Sequence, residues 1–316
     1  MLSGKMFGST GKILRIDLTT QRIWEEGLDE SVLRAYLGGT GLGAKFLYEE
    51  VKPPTAWDSP ENRLILASGP LGGAKVAGSG AYSVVTKGPL TNGGTSTQAN
   101  GYFGAFLKFS GFDAVVIQGM AESWKYIYIH DGRAEIRDAS HLVGKDTWET
   151  ETLVKQDLGK TRRALSVVGI GPAGENLVRF AAIVGDEGHV AAHNGVGAVM
   201  GSKRLKAVAA ARGAGALALH NPERVHALGR QMVEEIKNDS AHKNVFNLGN
   251  SFLFPLYAET GILPVKNMTT NIFPNADKFS GEYYRTRFEV KNNPCWYCSS
   301  HHCSIIKVTE GPYAGY

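Results

Sequence analysis

The chain predicts an α+β fold in two parts: a strand-rich, antiparallel N-terminal domain over residues 1–212, and the beginning of an α-helical domain over residues 213–316. Three observations predict it. Short runs of β-branched and aliphatic residues recur up to about residue 212, separated by glycine-rich returns. The segment Tyr126-Ile-Tyr-Ile-His130, Asp131-Gly132, Arg133-Ala-Glu-Ile-Arg137 is two strands around an Asp-Gly turn, a strong local signal for antiparallel pairing. After Gly213 the apolar spacing changes to that of amphipathic helices.

In order, strands are predicted at Lys12–Leu18, Arg22–Glu25, Arg63–Ser68, Tyr82–Thr86, Ala114–Gln118, Lys125–His130, Ala134–Arg137, Ala164–Val168, Val178–Val184 and Ala207–Ala211. Helices interrupt them at Glu30–Tyr48, Phe103–Phe109, Asp146–Leu158 and Val196–Leu205. These are too unevenly placed for alternating βα units. In the second part, Asn221-Pro222 supplies an N-cap and a first-turn proline, and Val225, Leu228, Met232, Val233 and Ile236 form one apolar face. Shorter helices are expected at Ser251–Glu259 and Gly281–Arg287. No internal repeat is evident.

The 316 residues are 43% hydrophobic and 20% charged, a globular composition. The formal charge of +4 is spread over mixed-sign surface, which argues against nucleic acid as a partner. There is no run of eighteen apolar residues and no apolar core in the N-terminal segment, so a cytoplasmic protein without a membrane span is expected.

Glycine is in excess, 39 residues or about one in eight, against a usual share of about 7%. Clusters at Gly38–Gly43, Gly69–Gly73, Asn92–Gly94, Gly169–Gly174 and Gly195–Gly201 mark tight turns or backbone held close to a ligand. Gly169-Ile-Gly171-Pro172-Ala-Gly174 matches a dinucleotide fingerprint, but the following residues read as another strand rather than the required helix, which excludes that site. Gly159-Lys160-Thr161 lacks the first glycine of a P-loop, because Val154 stands there.

The three cysteines fall in one stretch, Cys295-Trp-Tyr-Cys298-Ser-Ser-His-His-Cys303. Such clustering points to a metal centre, either an iron–sulfur cluster that takes a fourth thiolate elsewhere, or a zinc completed by His301 or His302. The chain continues only thirteen residues past Cys303, so a truncated helical domain is expected.

A resemblance covers almost the whole chain. Gly11-Lys-Ile-Leu-Arg-Ile-Asp-Leu-Thr, Ser59-Pro-Glu-Asn, Gly69-Pro-Leu, Gly101-Tyr-Phe-Gly104, Leu107-Lys-Phe-Ser-Gly-Phe-Asp113, Glu135-Ile-Arg-Asp-Ala-Ser-His141, Ile170-Gly-Pro-Ala-Gly-Glu-Asn-Leu177 and Gly195-Val-Gly-Ala-Val-Met-Gly-Ser-Lys203 occur in order. This set resembles the N-terminal domain of the aldehyde:ferredoxin oxidoreductase family of tungsten, sometimes molybdenum, pterin enzymes, and Pro264-Val-Lys-Asn267 with the cysteine run extends it. The resemblance implies a strand-rich base that carries a bis-pterin metal cofactor, helical domains that add a 4Fe-4S cluster, and electron exchange with ferredoxin or another carrier. It also implies a small aldehyde/acid or acyl-CoA substrate and a homodimer or a partner subunit.

Carried over by position, the resemblance assigns floor contacts to the cofactor at Ala81, Gln98, Asn100, Gly101, His189, Val190, His193 and Asn194, and cluster ligands at Cys295, Cys298 and Cys303. The sequence departs from the family pattern in three respects. Ala81 stands where the best-known members place an arginine between pterin and cluster, His189 and His193 replace two arginines near phosphates, and four residues rather than three separate Cys298 from Cys303. No catalytic residue is assigned within the chain. Lys75, Tyr102, Asp113 and Glu175 are polar candidates near the floor, each with a common structural role. The first expectation is therefore the N-terminal part of a tungsten oxidoreductase of aldehydes and carboxylic acids. An aromatic acyl-CoA reductase-type subunit and a non-catalytic pterin or iron–sulfur module are the alternatives.

Overall fold

Aliphatic runs that lack polar alternation need cover on both faces, and the strands of this chain find it in two sheets with helices on either side. The computed structural model describes residues 6–300 and 302–315. The chain divides into two compact units, Met1–Val225 and His226–Tyr316.

In the first unit, β1 (Lys12–Asp17), β2 (Arg22–Gly27), β3 (Leu64–Ser68), β4 (Tyr82–Lys87), β5 (Gly94–Ala99) and β6 (Ala114–Gln118) form one sheet in the order β2-β1-β6-β3-β4-β5. A second sheet holds β7 (Lys125–His130), β8 (Arg133–Asp138), β9 (Leu165–Gly169), β10 (Ile183–Gly185), β11 (His189–Ala191) and β12 (Leu205–Ala211), in the order β11-β10-β9-β12-β7-β8. Adding six to each strand of the first sheet reproduces the second from the opposite end. The first unit is thus a topological repeat, which the sequence reading missed.

Each half carries a single parallel pair, β1 with β6 and β7 with β12, and its other pairs are antiparallel. The expectation of an antiparallel domain is corrected at these two pairs. They join the first and last strands of each half, which no short-range turn signal can reveal.

Helices occupy corresponding places. Between β2 and β3 lie α1 (Glu30–Tyr36) and α2 (Gly39–Glu50), and α3 (Phe103–Phe109) precedes β6. In the second half α4 (Thr147–Asp157) lies between β8 and β9, α5 (Pro172–Glu175) follows β9, and α6 (Val196–Ser202) precedes β12. Leu42, Phe46 and Leu47 of α2 pack on Ile13, Ile65, Val85 and Val116, while Val154 of α4 packs on Tyr126, Tyr128, Val167 and Ala209. The other sheet faces meet α3 and α6: α3 touches β3, β9 and β12, and α6 touches β3, β4 and β12. Phe103, Phe106, Val199 and Met200 are buried there, each contributing roughly 1.5–3 kcal/mol over exposure.

Backbone contacts repeat as well. Gly69-Pro70-Leu71-Gly72 follows β3 and Gly171-Pro172-Ala173-Gly174 follows β9, closed by Gly72 N to Gly69 O at 2.9 Å and Gly174 N to Gly171 O at 3.0 Å. Gly104 of α3 donates to Gly80 O at 3.2 Å, and Gly197 of α6 to Ala181 O at 2.9 Å. Each of these two glycines has no room for a side chain. A Cβ would stand 2.2 Å from Ala81 O at Gly104 and 2.4 Å from Ala182 O at Gly197.

Three element predictions are corrected. The helix over Glu30–Tyr48 breaks at Leu37 and Gly38 (φ 60° and 148°), and at position 38 only glycine fits, since a Cβ on Gly38 would stand 2.7 Å from Ser68 O. Residues after Gly174 do not form one strand from Val178. Pro172–Glu175 is a short helix capped by Gly171, Leu177 is left-handed (φ 57°), and strand pairing begins only at Ile183. The dinucleotide motif is therefore followed by a helical turn after all, but β9 runs antiparallel to both neighbours, so no βαβ unit exists. β5 was not predicted. Its Gly-Thr-Ser-Thr-Gln-Ala sequence is polar and owes its shape to pairing with β4.

The Asp131-Gly132 hairpin forms as expected, both residues with positive φ (44° and 76°). α4 begins with a capping box in which Asp146 accepts from Trp148 N and Glu149 N, and Glu149 accepts from Asp146 N.

The second unit begins on α7 (Pro222–Asn238), whose first turn is capped by Asn221 Oδ1 accepting from Arg224 N at 2.9 Å. α8 (Ser240–Leu248), α9 (Phe254–Glu259) and α10 (Gly281–Arg287) follow, then a hairpin of β13 (Glu289–Asn292) and β14 (Ser304–Lys307). Among the described residues no helix is long and apolar enough to cross a membrane.

Candidate functional site

The repeat places equivalent turns at the ends of its two edge strands. Asn100-Gly101-Tyr102 leads from β5 into α3, and His193-Asn194-Gly195 leads from β11 into α6, with Gly101 and Asn194 in corresponding positions. Gly101 has φ 101°, Asn194 66° and Gly195 69°, conformations that favour glycine and tolerate asparagine. Gly195 is also pressed on the Arg179 carbonyl, where a Cβ would stand 1.9 Å away.

The two edges meet. His193 N donates to Thr97 Oγ1 at 3.3 Å, Asn194 Nδ2 to Ser96 O at 3.1 Å, and Tyr102 N to Asp186 Oδ2 at 2.7 Å. Register pairs Tyr82 with Ala99 and Ser83 with Gln98, which sets Ala81 beside the Asn100 turn. The eight residues assigned to the floor therefore lie on one patch, with Ala81, Gln98, Asn100 and Gly101 from the first half and His189, Val190, His193 and Asn194 from the second. Gln98, Asn100, Val190, His193 and Asn194 are exposed, so amide and imidazole groups line its rim.

Beneath the patch lies Asp186, a residue the sequence reading passed over. It is 2% exposed, and its Oδ2 accepts from Ser166 Oγ at 2.8 Å as well as from Tyr102 N. Burial pushes its pKa up to about 6, with the nearby Glu151 charge adding to the rise; the Tyr102 and Ser166 hydrogen bonds and the His189 charge act the other way. The turn that carries it is left-handed at Asp186 (φ 49°) and Glu187 (φ 60°). The only sequence signal was the tight Gly185-Asp-Glu-Gly188 return between two short strands. Tyr82, also beneath the patch, has a buried hydroxyl with no hydrogen-bond partner among the described residues; burial first, and the Asp186 charge second, hold it well above the usual phenol range.

The other polar candidates are structural. Lys108 and Asp113 form a buried ion pair, and Asp113 also accepts from Thr10 N and Gly11 N. Burial alone would raise the Asp113 carboxyl, but the Lys108 charge and the surrounding donors outweigh it and hold it below the ordinary range. In the second half Lys206 pairs with Glu175, which accepts from Gly144 N at 3.0 Å. Lys75 is exposed, and Tyr102 donates its backbone N–H to Asp186 and packs its ring on Phe106.

In the second unit the cysteines occupy the loop of the β13–β14 hairpin, residues 293–303, closed by Asn293 N to Cys303 O at 2.9 Å. Cys298 N to Cys295 O, 3.1 Å, makes a turn that brings those two residues together. A hydrogen bond with Cys295 lowers the Cys303 thiol pKa against the opposing effects of burial and Cys298, and the His302 pKa is raised by a hydrogen bond with Cys298. None of the three cysteines is in a disulfide. Arg285 Nη2 donates to Ser304 Oγ at 2.9 Å, so α10 braces the end of the loop. His301, the other imidazole considered as a ligand, lies outside the described residues.

The profile of aldehyde ferredoxin oxidoreductase, N-terminal domain, matches residues 13–212, and that of the family's domains 2 and 3 matches residues 227–316. The chain belongs to the aldehyde ferredoxin oxidoreductase family. The tungsten-containing aldehyde ferredoxin oxidoreductase of Pyrococcus furiosus is 41% identical over 313 residues, 97% of this chain and 51% of the relative. That of Thermococcus kodakarensis is 39% identical over the same shares. Among solved structures, the active-site complex BamBC of benzoyl coenzyme A reductase, bound to 1,5-dienoyl-CoA, has a TM-score of 0.81 and 29% identity over 97% of this chain and 48% of that one. The chain spans about half the length of the curated aldehyde ferredoxin oxidoreductases it matches.

Proposed function

We propose that this chain supplies the cofactor floor and cluster loop of a tungsten (or molybdenum) bis-pterin, iron–sulfur oxidoreductase that interconverts aldehydes and carboxylic acids and exchanges electrons with ferredoxin or a similar carrier in the cytoplasm. The domains would be 1–212 for pterin binding and 213–316 for the iron–sulfur region. The observation that carries the reading is the patch itself: the corresponding turns that enter α3 and α6 are left-handed at Gly101 and Asn194, and the second turn is hydrogen-bonded to the strand that leads into the first, through His193 N to Thr97 Oγ1 and Asn194 Nδ2 to Ser96 O. The identity to tungsten-containing relatives supports it.

The donor set fits. Gln98, Asn100 and Asn194 offer amide donors and acceptors suited to pterin ring edges, the left-handed backbone at Gly101 and Asn194-Gly195 can aim N–H groups at phosphate, and His189 and His193 would take over from the arginines of relatives as phosphate contacts. A bound metal–pterin group supplies two-electron redox chemistry, and a cluster supplies one-electron steps. The chain's part is to hold and orient them. Cys295, Cys298 and Cys303 would give three thiolates to a 4Fe-4S cluster, and His302, hydrogen-bonded to Cys298, would tune one of them.

A second reading, an aromatic acyl-CoA reductase-type subunit, is favoured by the fold match over 97% of this chain. Anaerobically purified protein should reduce a viologen dye with short or aromatic aldehydes. Dye oxidation dependent on an aryl-CoA, with no response to aldehydes, would replace the first reading by the second. Activity with neither, in protein that carries its metals, would refute both.

A further inference from the structure

The floor is assembled from two halves that contribute their polar groups from separate turns, so its spacing depends on what ties those turns together. We propose that Asp186 is a positioning residue of this floor: its carboxylate locks the Asn100–Tyr102 turn of the first half to the β10–β11 turn of the second. The proposal rests on the cofactor reading above and adds to it the residue that sets the geometry.

Four observations converge on it. A single oxygen, Oδ2, accepts from Tyr102 N at 2.7 Å in the first half and from Ser166 Oγ at 2.8 Å in the second. Gly101 is shaped to this contact, because a Cβ there would stand 2.5 Å from the same oxygen and 3.2 Å from the His189 ring, at a φ of 101° that side chains avoid. The turn holding Asp186 is strained at two successive non-glycine residues and is braced from behind. Glu187 N donates to Glu151 Oε2 of α4 at 2.8 Å, and Arg162 pairs with the Glu187 side chain at 2.9 Å. Finally, the carboxylate is retained where burial and the neighbouring Glu151 both disfavour its charge. Local strain and an unfavourable buried charge at one residue, placed directly under exposed floor groups, mark a position kept for geometry rather than for stability.

The lock can be broken from either side. Asp186→Ala removes the acceptor. Gly101→Ala pushes the first turn off it. Asp186→Asn keeps an acceptor oxygen and tolerance for the left-handed region, and serves as the conservative rescue. Tungsten plus molybdenum and iron per chain would be measured by elemental mass spectrometry on anaerobically purified protein, with thermal unfolding alongside.

The expected result is at least a fivefold fall in the ratio of tungsten plus molybdenum to iron in Asp186→Ala and Gly101→Ala. Iron per chain should be unchanged, and Asp186→Asn should stay near the wild-type ratio. A wild-type ratio in Asp186→Ala overturns the proposal, as does a parallel loss of iron, cofactor metal and unfolding midpoint in every variant. If Asp186→Ala does not fold, the Gly101→Ala and Asp186→Asn pair decides by the same ratio. Wild-type protein with iron but neither tungsten nor molybdenum overturns the cofactor reading itself, and this proposal with it.

Discussion

Replacing Gly104 with alanine tests the repeated architecture and its bearing on the floor together. The new Cβ would meet Ala81 O at 2.2 Å and Gly80 O at 2.8 Å, both backbone atoms just before β4, so α3 must withdraw. Alanine gains about 1 kcal/mol over glycine in a helix. Overpacking against immobile backbone costs about 1–3 kcal/mol, and loss of the 3.2 Å bond from Gly104 N to Gly80 O about 1 kcal/mol more. The net destabilisation is about 1–3 kcal/mol, or roughly 2–12 °C in the unfolding midpoint for a unit of this size. Because a Cβ at Gly197 would stand 2.4 Å from Ala182 O, Gly197→Ala should cost a similar amount. Gly69, where an added Cβ would meet nothing within 4 Å, is the control and should shift stability by less than about 0.5 kcal/mol as alanine. Thermal unfolding followed by circular dichroism reads all three. A Gly104→Ala protein at least as stable as wild type would refute the close approach and the equivalence built on it.

Two further outcomes follow from named residues. Cys298→Ser should abolish iron-dependent absorbance while the strand-rich unit keeps its far-ultraviolet circular dichroism; retained iron would refute the ligand assignment. Lys203 is buried and donates to Asn62 O at 2.7 Å and Gly119 O at 3.3 Å, and burial, with the Arg63 charge adding, pulls its pKa down to about 7. The unfolded chain therefore binds the proton more tightly between pH 7 and the ordinary lysine value of 10.5. Stability should accordingly rise with pH across that interval, by at most about 1.4 kcal/mol per pH unit from this group, and the slope should flatten in Lys203→Met. Equal slopes in the two proteins, measured by urea unfolding at several pH values, would contradict the assignment.

What the sequence revealed depended on whether the determining contacts were local. Gly281–Arg287 was legible to the residue, and Asp146 announced the start of α4, because caps and periodicity act within one or two turns. The Asp131-Gly132 hairpin was equally plain. The parallel pairs were hidden, since β1 meets β6 across nearly the whole first half. β5 was hidden because its polar residues become a strand only beside β4. The repeat left traces that were legible only separately, such as Gly69-Pro-Leu-Gly72 beside Gly171-Pro-Ala-Gly174, and Phe103-Gly-Ala-Phe-Leu beside Val196-Gly-Ala-Val-Met. The floor residues came from family resemblance rather than from spacing. Asp186 was missed because its meaning lies in a hydrogen bond to Tyr102, 84 residues away.

The central claim is that these two units hold a metal–pterin cofactor and an iron–sulfur cluster. Elemental mass spectrometry of anaerobically purified protein, produced from its full reading frame in a tungstate-supplied host, tests it most directly. The account predicts about four iron and about one tungsten or molybdenum per chain. Zinc alone, or no metal, would contradict it and leave a likeness of fold without the chemistry.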